Sequence, residues 1–110
     1  MRRMLAVPLS GLMLLAACST VTVGQRFDLK TFTSKVERGV TTQGQVRGWL
    51  GAPASVGVVV DTGGERYEEW TYYHGSGRLP NMVDARLKML QIKFDRGGIV
   101  RGYNWTAGAD

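Results

Sequence analysis

The chain offers one histidine, His74, and one cysteine, Cys18, for nucleophilic, acid–base or metal chemistry. A single histidine with no second cysteine makes no zinc set, which needs several such donors around one ion. His74 sits beside Gly75 and Gly77, a context that reads as an exposed loop. Asp61, Glu65, Glu68 and Glu69 are acidic and close in sequence, but they lack the regular ligand spacing of a calcium loop. They read as solvated turn and strand charges. Ser10, Ser19, Ser34, Ser55 and Ser76 have no Gly-x-Ser-x-Gly elbow to expose a nucleophile. Gly63-Gly64 and Gly97-Gly98 are followed by no Lys-Ser/Thr, so they read as hairpin turns and not as phosphate cradles. The expectation is a chain without enzyme activity: no catalytic residue, no metal ligand and no cofactor.

Cys18 is the residue left with chemistry to do. It follows a basic start, Met1-Arg2-Arg3, and an apolar run from Met4 to Leu14. Basic residues, a short apolar segment and small residues make a secretory signal peptide. The run is too short to span a bilayer, which takes about 20 residues. Leu15-Ala16-Ala17-Cys18 resembles a bacterial lipobox. The resemblance implies a diacylglyceryl thioether on Cys18, cleavage between Ala17 and Cys18, and acylation of the new amine. That covalent lipid is the one attached group expected. Two or more acyl chains anchor stably, each buried methylene contributing about 0.8 kcal/mol. The same resemblance makes Ser19 after the cysteine compatible with export to the outer membrane and implies that the chain would lie on its periplasmic face.

Size and charge bound the rest. The whole chain carries 14 basic and 9 acidic residues. Loss of Arg2 and Arg3 with the signal leaves 12 against 9, a balance of +3. The basic residues are scattered, so no nucleic-acid partner is expected. A mild positive charge suits a domain beside anionic lipid headgroups. No disulfide can form within one chain holding one cysteine. A single small domain must therefore draw its stability from the apolar and aromatic residues between Phe27 and Trp105.

The elements that would position these groups follow from pattern. Residues 18–27 read as a lipidated tether, giving at most roughly 35 Å of reach. Asp28 reads as the N-cap of a helix carrying Leu29, Phe32 and Val36 on one face and ending at Gly39. Thr42 and Gln45 form a capping box for a second helix, with Val46, Trp49 and Leu50 as its apolar stripe. Gly51 and Pro53 end it. The period then changes to two. Strands are expected at Ser55–Val60, Arg66–Tyr73, Arg86–Phe94 and Ile99–Trp105, with a loop from His74 to Ala85. Residues 106–110 read as a frayed tail. The order is that of an α+β domain over 28–105.

These residues also carry a family resemblance. Gly39-Val40-Thr41-Thr42, Val46 and Leu50-Gly51-Ala52-Pro53, then Trp70-Thr71-Tyr72, then Phe94-Asp95-Arg96-Gly97-Gly98-Ile99-Val100, resemble the ordered motifs of SmpA/OmlA (BamE-like) outer-membrane lipoproteins. The resemblance implies a two-layer fold, a short helix pair on a three- to four-stranded antiparallel sheet of the BamE/β-lactamase-inhibitor kind. It implies contacts with envelope or barrel-assembly proteins and with anionic phospholipid. Apart from the resemblance, a one-sided antiparallel sheet can expose aromatics on its open face or edge. Tyr72, Tyr103 and Trp105, with Arg101 on the same alternating strand face as the last two, form the candidate interaction surface. Packing into the core is the other reading of these aromatics. Two other readings stand beside an accessory role in barrel assembly or envelope integrity. One is an inhibitor-like module for a periplasmic enzyme; the other is a passive structural lipoprotein.

Overall fold

The computed structural model describes residues 19–107. Its elements, in order, are β1 (Thr20–Gly24), α1 (Leu29–Lys35), α2 (Gln43–Leu50), β2 (Ser55–Val60), β3 (Arg66–Arg78), β4 (Val83–Phe94) and β5 (Val100–Ala107). All strand pairs are antiparallel, and the fold is α+β. The spatial order is β1-β3-β4-β5, with β2 also on β3. β1 pairs with residues 74–78 of β3 and β2 with residues 66–71, so two short strands lie end to end along one long one.

Both helices start where their caps dictate. Thr31 donates to Asp28 from its backbone N (3.0 Å) and its Oγ1 (2.6 Å). Thr42 and Gln45 close a reciprocal box: Gln45 N donates to Thr42 Oγ1 at 3.1 Å, and Thr42 N to Gln45 Oε1 at 3.0 Å. Each cap satisfies amides that the first helical turn leaves without partners. α1 ends earlier than its sequence suggests, with Val36 already extended. The reason is long-range. Gly39 N donates to Val100 O, Val100 N to Thr41 O, and Gln43 N to Gly98 O. The link between the helices is thereby stitched to the start of β5, and Gly39 takes its positive φ of 87° within that link.

Alternation in β3 and β4 sends one set of residues to the core. Trp70 pairs with Ile92 and Tyr72 with Leu90, all four buried, and Phe94 lies beside them. Leu29 and Phe32 of α1, Val46 and Leu50 of α2, and Val100 complete the same cluster. Burying one such side chain stabilises by about 1.5–3 kcal/mol relative to exposure. This offsets the cost of Gly44 and Gly48 inside α2, about 1 kcal/mol each. Trp49 sits at the margin of this core, half-buried, with Lys35 Nζ 5.9 Å from its ring.

Several expectations are corrected. The sheet has five strands, not three or four. The expected tether contains β1: Val21 and Val23 alternate with threonines, and the edge of distal β3 that faces away from β4 gives them a partner. The expected loop from His74 to Ala85 shrinks to residues 79–82, because β3 runs on to Arg78 and β4 begins at Val83. Gly75 and Gly77 are therefore strand residues. Both lie buried, and a Cβ at Gly77 would come within 2.5 Å of Met82 Cε. Thr106 and Ala107, expected to fray, pair with Met89 and Lys88.

Candidate interaction surface

The four residues expected to share a surface have four different surroundings. Trp105 is 47% exposed on β5, the last strand in the sheet order. Tyr103 is half-buried against the core. Its ring stacks on Trp105 (centroids 6.2 Å apart, planes at 16°) and meets Phe32 edge-on at 5.3 Å. Phe32 in turn meets Trp49 at 6.4 Å. The result is a row of four rings that begins on α2 at Trp49, crosses α1 at Phe32 and ends at the exposed ring of Trp105. Such contacts contribute about 0.5–1.5 kcal/mol each beyond burial, so the row holds Trp105 on a rigid base.

Arg101 does not share the face of Tyr103. The pairing shifts between Lys93 and Phe94, so Val100 and Tyr103 both point toward the core although their numbers differ in parity. A bulge of this kind inserts one residue and breaks alternation. Arg101 instead reaches Asp95, with Nε 2.7 Å from Oδ2. Asp95 Oδ1 also accepts from Gly97 N and Ile99 N. The Ile99 amide first, and then Arg101, hold the Asp95 carboxyl below its ordinary value. Arg101 thus fixes the β4–β5 turn.

Tyr72 leaves the surface altogether. It is 3% exposed, its ring 5.7 Å from Phe27, and its hydroxyl donates to Gly51 O at 2.8 Å. Burial pushes its pKa up to about 12. Strand alternation puts Tyr72 on the same face as Trp70, and only the placement of α2 and Phe27 decides that this face is covered at Tyr72.

Residues that sequence reasoning missed complete the surroundings of Trp105. A shallow cleft of about 320 Å³ runs beside it, lined by Phe27, Asp28, Lys30, Thr33 and Lys88. Lys88 Nζ lies 6.0 Å from the Phe27 ring. Phe27 and Lys88 are far apart in sequence, and no local signal joins them. The exposed ring of Trp105 and the lysines of the cleft thus place apolar area and positive charge side by side.

The remaining chemical candidates have structural work. His74 is not in a loop: it lies in β3, half-buried, paired with Gly24 and Lys88. Asp61 closes the β2–β3 turn, accepting from Gly63 N and Glu65 N at 2.9 Å, and these bonds, Glu65 first, lower its pKa. Glu68 accepts from Trp70 Nε1 at 3.0 Å and Gln43 Nε2 at 3.3 Å. Among the described residues no group of three metal-ligating side chains comes together. None of their helices is long and apolar enough to cross a membrane. Ala17 and Cys18, the expected cleavage and lipidation positions, lie outside the described residues. The chain matches no protein-family model, no curated protein and no solved structure.

Proposed function

We propose that the chain is a lipoprotein anchored through Cys18 to the periplasmic face of the outer membrane, acting by protein–protein contact. By its ordered motifs it takes the two-layer SmpA/OmlA (BamE-like) arrangement, and its role is accessory to barrel-protein assembly or envelope integrity. The observation that supports a contact role is the aromatic row Trp49–Phe32–Tyr103–Trp105, anchored in the core and ending in an exposed ring. A tethered domain meets membrane partners at high effective concentration, so a modest surface suffices.

The experiment is a chromosomal Trp105→Ala substitution in the source bacterium, with protein abundance checked by immunoblot. The expected result is lower barrel-protein levels and greater detergent sensitivity at normal abundance. Wild-type behaviour in both, shared by a full deletion, would instead make the protein a passive structural component.

A further inference from the structure

The β3–β4 hairpin tip is hydrogen-bonded to Ser19, which follows in sequence the residue expected to carry the lipid. Leu79 N donates to Ser19 O at 3.1 Å, and Thr20 pairs with Arg78. Adjacent Cα atoms are about 3.8 Å apart, so Cys18 is within one residue of a hydrogen bond to the tip. The expected slack of a tether is absent here, because β1 takes up that segment. At this same end the open sheet face is apolar. Leu79 and Met82 are each 42% exposed, Leu87 48% and Val23 52%. Met82, Leu87 and Val23, with Val21 and Ala85, line a concavity of about 230 Å³. Its floor contains Gly75, where an added Cβ would press on Val23 and Leu87.

Apolar side chains gathered at one end are uncommon on a water-facing surface and mark a contact site. From the register and the hydrogen bond to Ser19 we infer that this tip seats in the headgroup–acyl boundary of a phospholipid bilayer. The inference rests on the anchored-lipoprotein reading. The bilayer is the occupant because acyl chains on Cys18 would draw the tip to the lipid surface. The domain then stands on its hairpin. Trp105, paired with Leu90, lies seven residues along β4 from its start. At about 3.3 Å per residue this puts Trp105 roughly 23 Å from the start of β4 and roughly 10 Å beyond Leu87, on the solvent side of the seated tip.

Two methionines fall after the signal, Met82 at the tip and Met89 farther along β4. The lipidated protein, labelled with 13C at the methionine methyls, is placed in phospholipid nanodiscs carrying lipid spin-labelled near the headgroup. The expected result is a Met82 methyl signal attenuated at least about threefold more than that of Met89. Leu79→Glu with Leu87→Glu, two exposed sites, should abolish the difference while leaving the melting curve unchanged. Equal attenuation of both methyls in the wild type would overturn the inference.

The anchor is tested separately. The mass of Cys18 in protein from cells reports natural lipidation. The mature chain, coupled through the Cys18 thiol to maleimide-bearing lipid, repeats the methyl measurement whether or not cells lipidate it. An unmodified Cys18 would end the lipoprotein reading. Equal methyl attenuation in the coupled chain would end the seating of the tip.

Discussion

Replacing Tyr72 by Phe tests whether this ring belongs to the core or to a surface. The hydroxyl donates to Gly51 O at 2.8 Å, which ties β3 to the end of α2. Losing that donor while the carbonyl stays in place should cost about 1 kcal/mol at pH 8. The pH dependence is the sharper test. Burial raises the phenol from 10.0 to about 12, so the unfolded chain releases its proton first as pH rises. The stability this group contributes is complete below pH 10 and is lost as the pH climbs toward 12. A rise of two units sets a ceiling of about 2.7 kcal/mol. The ring borders a cleft that also touches Ala52 and Pro53, and screening there reduces the realised effect to roughly half. Urea unfolding of the mature chain, followed by tryptophan fluorescence at pH 8, 9.5 and 11, measures it. The wild-type advantage over Tyr72→Phe should shrink toward zero between pH 8 and 11, since only the wild type ionises at this position. A constant gap over that range would refute the buried, hydrogen-bonded placement.

Other substitutions probe other parts. Leu50→Ala removes a buried side chain from a short, glycine-weakened helix and should cost about 2–5 kcal/mol in the same melts. Trp105→Ala removes the stacking contact with Tyr103 and should cost about 0.5–1.5 kcal/mol, so a phenotype lost at normal protein abundance would report contact and not folding. Folding lowers the Asp95 pKa below 3.8, so its contribution is present above that pH and disappears as acid protonates the folded carboxylate. Asp95→Asn should therefore melt lower than wild type at pH 7, and the two should converge as the pH falls below 3.8. Metabolic labelling with a fatty-acid analogue should mark the wild type and spare Cys18→Ala; equal labelling of both would remove the anchor.

What the sequence determines here is local. Asp28, Thr42 with Gln45, and Gly51 set helix boundaries because caps act over three or four residues. Trp70, Tyr72, Leu90, Ile92 and Phe94 announce their shared face because strand periodicity is a property of the backbone. The lipobox resemblance is likewise read from four adjacent residues. What only the tertiary structure decides is pairing between distant segments. Thr20–Gly24 becomes a strand because the far half of β3 needs an edge partner, and short polar stretches do not reveal a partner 50 residues away. The hairpin extends through Gly75 and Gly77 because the surrounding side chains close over positions without a Cβ, against the turn tendency of glycine. Arg101 loses the face of Tyr103 to one bulge, and Tyr72 loses its exposure to α2 and Phe27. The candidate surface was therefore legible only at Trp105, whose exposure depends on the edge position of β5. The lysines and Phe27 beside it come from two separate segments, the start of α1 and the middle of β4, joined only by the packing of the helix on the sheet.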